Sequence, residues 1–355
     1  MKKLIIAAGL LMTTSAYAQT EVLTGVTRGK DYGVVYSLPK TQIELEIKAN
    51  KVKYTPGEFS KYADRYLRLN NVSTDPEVYW ELASVKVKSV GVPNSDATYF
   101  VKLKDKTVAP LMELTEDGIV KSINVPYSQN GSAKKNTPTA PAGQVSANPR
   151  DFLTEEILMA NSTAKMAELV AKEIYNIRES KNALLRGQAD NMPSDGAQLK
   201  IMIDNLNLQE EAMTKMFSGI REKEEKTFTV RLTPNKEFSN EVAFRFSKKL
   251  GVVANNDLAG TPFYISLKDL KTVKIPQEDG KKKKDLEGIA YNVPGQALVT
   301  LTDGKKKLYE GELPVTQFGI IEYLAPVLFN KSSTIKVYFD PNTGGLLKVD
   351  REEGK

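Results

Sequence analysis

The spacing of apolar residues changes twice along this 355-residue chain, and that change constrains its fold more than any other feature. In TQIELEI, near the beginning, Ile43, Leu45 and Ile47 alternate with polar residues. A period of two is typical of a strand with one buried face. We therefore predict a β-rich part over residues 25–126, interrupted by one short helix at GEFSKYADRYLRLN, where the apolar residues stand three or four apart.

Residues 151–221 change to the helical spacing of three and four, which predicts two helices. Each half carries a mainly apolar seam, of the kind by which helices pack side by side: Ala160, Thr163, Ala167, Val170, Ile174, Ile177 and Leu184 in the first half, and Leu199, Met202, Leu206, Gln209, Met213, Met216 and Ile220 in the second. Lys181 interrupts the first seam. Between the seams, Gly187 suits a C-cap and Ser194 an N-cap. We predict an antiparallel hairpin with helices of about 34 and 26 residues, roughly 50 and 40 Å long.

The C-terminal part returns to short alternating segments, which predict strands: KTFTVRL, VAFRFSKKLG, PFYISLKD, QALVTLT, KLYEGEL and TIKVYFD. Asp-Gly pairs beginning at Asp279 and Asp303 suit tight hairpin turns. Regularly spaced short strands favour a β-sandwich. The predicted fold class is therefore α+β, with two β-rich, sandwich-like domains and a long antiparallel helical hairpin between them.

Residues 128–150 mark the clearest boundary, because they contain one valine and otherwise no large apolar residue. Such a segment buries too little surface to offset its ordering entropy, so we predict a flexible linker. The predicted organisation is a signal peptide (1–18), an N-terminal β-rich domain (19–127), the linker (128–150), the helical hairpin (151–226), a C-terminal sandwich-like domain (227–350) and a tail (351–355).

The N-terminus MKKLIIAAGLLMTTSAYAQT has the features of a secretory signal peptide. Two lysines precede an apolar stretch from Leu4 to Met12, and an Ala-Tyr-Ala cleavage site ends at Ala18. The stretch is shorter than the roughly 20 residues that a membrane-spanning helix needs, and no later stretch reaches that length. We expect an exported protein of the periplasm, or of the periplasmic face of the outer membrane, whose mature chain has no transmembrane segment.

The chain contains no histidine and no cysteine, which removes most of the usual catalytic chemistry. Ser-His-Asp and Cys-His arrangements are excluded, as are zinc sites made of thiolates or imidazoles. No glycine-rich phosphate-binding pattern occurs either. The absence of these residue types and patterns favours a protein that is not an enzyme, and we predict no catalytic residue, metal site or cofactor. A formal net charge of +6 is too small a surplus to indicate a nucleic-acid partner.

The segment YFDPNTGGLLKVD offers a chemical interpretation beside a structural one. In an EF-hand-type loop that began at Asp340, Arg351 would replace the bidentate glutamate of the twelfth position. Proline, asparagine and two glycines between alternating stretches instead predict a turn. Lysine runs at 281–284 and 305–307 are predicted to lie at solvated hairpin tips, with peripheral contact to anionic lipid as the alternative.

Two further segments are candidate binding sites. TDPEVYWEL places Asp75 and Glu77 beside Tyr79 and the single tryptophan, Trp80, a combination that suits sugar binding; the alternative is that Trp80 packs its strand into the core. In the loop ADNMPSDG, at the predicted tip of the hairpin, the candidate partner-binding residues are Asn191, Met192, Pro193 and Asp195. A hairpin of this length exceeds what closing one small core requires, although its seams also suit self-packing alone.

Three stretches resemble an uncharacterised family: GVVYSLPKTQIELEI, DNMPSDGAQLKIMIDNLNLQEEAMTKMFSG, and YNVPG with LPVTQFGIIEYLAP and FDPNTGGLLKV. These are exported proteins of about 350 residues from Gram-negative anaerobes of the gut and mouth, known only as a domain of unknown function, and MPSDG with its following helix is the most specific part. The resemblance implies an envelope location, and it provides no activity, cofactor or catalytic residue that could be carried over to this chain.

Two functions follow as hypotheses from these observations. The first is a non-catalytic periplasmic or envelope protein that binds or scaffolds a partner complex, such as an envelope protein at the outer membrane. The alternative is a carbohydrate-binding or carbohydrate-active protein that uses carboxylates and aromatic rings.

Overall fold

The computed structural model describes residues 32–103, 112–127, 148–274, 288–325 and 334–352. The strands in these ranges are β1 (Tyr32–Thr55), β2 (Glu77–Leu103), β3 (Met112–Leu114), β4 (Val120–Ile123), β5 (Ile220–Leu232), β6 (Phe238–Ser247), β7 (Gly251–Val253), β8 (Thr261–Asp269), β9 (Ile289–Thr302), β10 (Lys307–Leu324), β11 (Thr334–Phe339) and β12 (Leu346–Glu352). The helices are α1 (Ala63–Leu67), α2 (Glu155–Leu158), α3 (Thr163–Arg186) and α4 (Gly196–Ser218). The predicted signal peptide, linker residues 128–147, the Asp279 turn and the lysine run at 281–284 lie outside the described residues.

The strands form three antiparallel sheets, with the orders β2-β1-β5, β10-β9-β8-β6-β7 and β12-β11-β4-β3. Each of the six C-terminal segments predicted as strands contributes to one of them. The short helix predicted after β1 is also present, as a 3-10 turn at Ser60–Tyr62 that continues into α1. The described chain is therefore β-rich, with few helices, as the residue spacing predicts.

Strand β1 pairs with β2 along nearly its whole length and changes the face that it buries. Its large buried side chains stand at even positions, then at odd positions and then at even positions again: Tyr36 and Leu38; Ile43, Leu45 and Ile47; Val52 and Tyr54. Successive side chains of a strand point to opposite faces, so each change of parity moves burial to the other face. The pairing with β2 shifts register between Ser37 and Pro39 and between Lys48 and Ala49, close to the changes. Different segments of β1 therefore contribute side chains to different hydrophobic cores.

One core lies between the three-stranded and the five-stranded sheets. Ile43, Leu45 and Ile47 are fully buried in it, together with Phe244 and Val299 of the five-stranded sheet. Phe244 also stacks on Phe263 of β8, with ring centroids 4.6 Å apart. The alternation in TQIELEI thus predicts correctly that Ile43, Leu45 and Ile47 lie on one buried face of β1.

A second core joins the beginning of β1 to the four-stranded sheet. The Tyr36 hydroxyl donates a hydrogen bond to the Ala290 carbonyl at 3.1 Å and accepts one from the Ala290 amide at 2.8 Å. Burial raises the pKa of Tyr36 well above its ordinary value, so the phenol stays a neutral partner in this pair. Val337 and Phe339 of β11 are fully buried in the same cluster.

The segment YFDPNTGGLLKVD forms the predicted hairpin between β11 and β12. The Asp340 carboxylate accepts hydrogen bonds from the Asn342 amide at 2.9 Å and from the Thr343 hydroxyl at 3.1 Å, and Gly344 has a φ of 67°. The Asn292 side chain of β9 donates to the Thr343 carbonyl at 2.8 Å. The aspartate therefore closes the turn, and the turn is itself packed into the fold.

Helices α3 and α4 form the predicted helical hairpin, with differences at the start of α3 and at the N-cap of α4. α3 has 24 residues rather than about 34, because Ser162 caps it by accepting from the Lys165 amide. It ends at the predicted C-cap, Gly187, with φ of 68°. The N-cap of α4 is Asp195 and not Ser194, since the Asp195 carboxylate accepts from the Gln198 amide at 2.8 Å.

A third core packs the proximal half of the hairpin against the short helix after β1. Val170 and Ile174 of α3 and Phe217 of α4 are fully buried in it, and Phe217 lies 5.3 Å from the ring of Phe59. The cluster ends at Ile177 on α3, and that helix continues about 14 Å beyond it at 1.5 Å per residue. The seams therefore pack on residues 59–67 as well as on each other.

The packing links parts of the chain that the predicted boundaries separate. β5 pairs with β1, and the core between the first two sheets combines residues from 19–127 and from 227–350. The boundaries themselves stay a prediction. None of the helices in the described ranges is long and apolar enough to cross a membrane.

Candidate functional sites

The distal half of the hairpin, residues 178–208, contains the predicted partner-binding loop. Asn191 and Met192 are exposed in this loop, and Pro193 is half-buried. Asp195 is exposed as a residue, but its carboxylate caps α4. The structure therefore places Asn191 and Met192 at the surface of the tip, whereas Asp195 has a structural role as the N-cap of α4.

Five large apolar side chains are exposed in this distal half: Leu185 (67%), Met192 (44%), Ile201 (61%), Met202 (40%) and Leu208 (42%). Ile201 and Leu208 are seven residues apart, so they lie on the same face of α4. Met202 belongs to the predicted seam but is exposed, whereas Met213 and Met216 of the same seam are buried. The seam is therefore covered unevenly towards the tip, where Leu184 is buried and Leu199 and Leu206 are half-buried, whereas Met202 is exposed.

An ion-pair cluster holds α3 and α4 together where the core ends. Glu210 of α4 contacts Arg178 Nε at 2.7 Å and Lys181 Nζ at 2.6 Å, both on α3. Burial raises the pKa of Glu210, but the hydrogen bonds from Lys181 and Arg178 outweigh it and lower the pKa below its ordinary value. Lys181, which interrupts the apolar seam in the sequence, is therefore the partner of a half-buried carboxylate.

A second candidate site is a cleft of about 310 Å³ at one end of the three-stranded sheet, which we name the Tyr54 cleft. Tyr54 of β1 forms its floor and donates a hydrogen bond to the Ser73 carbonyl at 2.9 Å. Asn71 and Ser73 line it from the loop before β2. The remaining lining residues are Glu77, Tyr79, Glu81, Arg221 and Lys248.

Three strands and one turn bring the charges of this cleft together. Tyr54 pairs with Glu77 of β2 on one side and with Arg221 of β5 on the other, so all three lie on the same face of the sheet. The Arg221 guanidinium lies 4.8 Å from the centre of the Tyr54 ring. Lys248, from the turn between β6 and β7, lies 5.3 Å from the ring centre of Tyr79.

The segment TDPEVYWEL is divided between two sides of β2. Glu77 and Tyr79 line the cleft, whereas Trp80 points to the other face, where it packs on Phe228 at 5.8 Å. Asp75 is exposed in the preceding loop. Sequence reasoning found Glu77 and Tyr79 but missed Arg221 and Lys248, because these come from distant parts of the chain that no local pattern connects with β2.

The remaining candidate turns have structural explanations. Asp303 accepts hydrogen bonds from the amides of Lys305 and Lys306 at 2.9 and 2.7 Å, and Gly304 has a φ of 87°, which confirms the hairpin turn between β9 and β10. Across the ranges that the structure covers, no group of three or more carboxylates is placed to hold a metal ion.

The fold and these sites define a β-rich protein of three antiparallel sheets that carries a helical hairpin and a polar cleft. It belongs to a family described as a domain of unknown function (DUF4831), whose model matches residues 32–347. Neither the curated proteins nor the solved structures gave a match.

Proposed function

We propose that the protein is a non-catalytic, exported binding protein whose helical hairpin contacts a partner protein of the cell envelope. The observation that carries this proposal is the exposure of five large apolar side chains on the distal half of the hairpin. Apolar residues that cluster at the surface of a protein are typical of interaction sites.

The contrast between the two halves of the hairpin supports this function. In the proximal half, Ile174, Met213 and Phe217 are almost completely buried by the rest of the fold. In the distal half, Ile201 is 61% exposed, although it stands in a helix whose length self-packing does not require. Ile201 and Leu208 are seven residues apart, which is one of the intervals at which helices present apolar residues to a partner's groove.

The location and the wider architecture belong to the same proposal. The signal-peptide pattern that ends at Ala18 supports export to the periplasm or to the periplasmic face of the outer membrane. We propose that the β-rich parts are sandwich-like supports that hold the hairpin at a constant angle, with the Glu210 ion pairs stiffening its base.

Photocrosslinking in cells tests the proposal. A photoreactive residue at Met192 should capture one dominant envelope protein, and a residue at Asn191 should capture the same one. Replacing Ile201 and Leu208 together by serine should abolish that capture, because both side chains are exposed and their loss leaves the core intact.

The matched control is a photoreactive residue at Asn256, which is exposed in the turn between β7 and β8. Equal capture of the same protein from Asn256, or capture that persists in the double serine variant, contradicts the proposal. Capture of a second copy of this chain would also contradict it, since the hairpin would then be a homo-oligomer interface.

A further inference from the structure

We propose that the Tyr54 cleft binds an anionic saccharide, whose hydroxyl groups contact Glu77 and whose acidic group contacts Arg221 and Lys248. This function is independent of the hairpin. The proposal rests on three observations: the chemistry of the cleft lining, the identity of the charged groups that have no ion-pair partner there, and the positions that the sheet gives to those groups.

The lining of the cleft selects a polar, hydroxyl-bearing ligand. Every side chain that lines it is polar or is a tyrosine, and none is aliphatic. Asn71 and Ser73 offer both donors and acceptors, as a ring of hydroxyl groups requires. Ligand pockets usually have volumes of roughly 300–1,000 Å³, so a cleft of about 310 Å³ suits a small ligand such as a single sugar.

The ion pairs of the cleft decide which charges a ligand meets. Glu81 is occupied, because its Oε2 lies 2.9 Å from Lys223 Nζ. Glu77 has neither an ion pair nor a side-chain hydrogen bond among the described residues. Arg221 and Lys248 contact only tyrosine rings with their charged groups, within the same ranges. One free carboxylate and two free cations therefore favour a ligand with a negative charge and additional hydroxyl donors.

The sheet places these groups on different sides of the floor. Glu77 and Arg221 are the two cross-strand neighbours of Tyr54, so their backbones are roughly 10 Å apart, twice the strand spacing. Lys248 covers the neighbouring Tyr79 from the edge of β2. A sugar seated in the cleft can thus contact the carboxylate with one side of its ring and a cation with the other.

The same geometry favours binding over hydrolysis. Hydrolysis of a glycosidic bond usually needs two carboxyl groups that flank it, one as an acid and one as a base or nucleophile. Glu77 and Glu81 are the carboxylates of the cleft, and Lys223 occupies Glu81. The cleft therefore offers one free carboxylate, which serves as a hydrogen-bond acceptor.

Isothermal titration calorimetry on the full mature protein tests this inference. The probes are glucuronate, galacturonate, N-acetylneuraminate and glucose 6-phosphate, with glucose as the neutral sugar and acetate as the anion alone. The backbone amide of Trp80, the single tryptophan, donates to the Lys248 carbonyl at 2.8 Å, so its fluorescence is recorded as a second readout. At least one acidic sugar should bind with roughly millimolar affinity, and more tightly than glucose and acetate.

Variants identify the groups responsible. Arg221→Gln and Glu77→Gln should each weaken that binding by about tenfold or more, as expected for the loss of a charge-assisted hydrogen bond. Lys53→Gln is the control, because Lys53 is exposed on the other face of β1. If the Arg221→Gln variant does not fold, the affinity of the Glu77→Gln variant alone tests the inference.

Three results would overturn the inference: no binding of any acidic sugar, equal affinity for glucose or acetate, or unchanged affinity in Glu77→Gln. Because the hairpin serine variant keeps the cleft intact, it should bind the sugar as the unaltered protein does. A failure of the sugar assay is thereby separated from a failure of the crosslinking assay.

Discussion

Replacing Glu44 by glutamine tests how much one carboxylate contributes to the stability of the three-stranded sheet. Glu44 lies on the central strand β1, and its side chain is 9% exposed. One oxygen lies 2.9 Å from Lys88 Nζ of β2, and the other lies 2.7 Å from Arg231 Nε of β5. A single side chain therefore bridges all three strands, at a position where sequence alternation predicts only a polar face.

The charge of Glu44 makes its contribution dependent on pH. The hydrogen bond from Lys88, together with that from Arg231, lowers the pKa of Glu44 below its ordinary value of 4.5, against the effect of burial. A carboxyl whose pKa is lowered on folding contributes stability above its unfolded pKa, and that contribution is lost as the pH falls through the folded pKa. Glutamine carries no charge, so the stabilities of the two proteins should converge in acid.

The structure also limits the size of the effect. A hydrogen bond to a charged group contributes about 1.5–3 kcal/mol when buried, whereas an exposed ion pair contributes roughly 0.2–1 kcal/mol. Lys88 and Arg231 are 54% and 55% exposed, which places both contacts towards the lower range. We expect Glu44→Gln to lower the free energy of unfolding by about 1–2 kcal/mol near neutral pH.

Urea denaturation at a series of pH values measures this difference. Glu46→Gln is the matched control, because Glu46 lies on the same face of β1 and has no ion pair within the described ranges. The loss in Glu44→Gln should narrow as the pH falls below 4.5. A loss that is the same at every pH, or an equal loss in Glu46→Gln, would refute the reasoning.

Two pairs of substitutions test the packing by the same assay. A Cβ at Gly91 would lie 2.1 Å from the Asn342 carbonyl oxygen, so Gly91→Ala should cost roughly 1–3 kcal/mol or more. Gly196→Ala, in open space at the start of α4, should be neutral or stabilise by up to about 1 kcal/mol. Ile174→Ala, at a fully buried position, should cost about 2–5 kcal/mol, whereas Ile201→Ala should change stability by less than about 0.5 kcal/mol. Similar losses within either pair would contradict the burial described here.

Sequence reasoning succeeded where the physical cause is local. Ile43, Leu45 and Ile47 alternate because a strand turns every second side chain to the same face, and that period is readable without knowing the partner. The capping of α3 by Gly187 has a local cause too, since glycine tolerates a positive φ. Ser194 and Asp195 are both of residue types that cap helices, and only the structure shows that Asp195, rather than the predicted Ser194, is the N-cap of α4.

For the candidate sites, too, sequence reasoning found the residues that are close in the chain and missed those that are distant. The loop that contains Asn191 and Met192 was predicted as a tip, because glycine, proline and polar residues between two helical patterns indicate a turn. Glu77 and Tyr79 were found because they are close in sequence. Arg221 and Lys248 join them only through the pairing of β5 with β1 and the packing of one turn.

The sequence by itself determined the element types, the helical hairpin and the absence of histidine and cysteine chemistry, because spacing and composition act over a few residues. Only the tertiary structure decided which faces β1 buries in turn, that its carboxylate Glu44 is shared by two other strands, and that Ile201, Met202 and Leu208 of the distal hairpin are exposed. These outcomes depend on contacts between residues far apart in the chain. Such contacts form when strands choose partners by burying apolar surface together, and no local pattern records that choice.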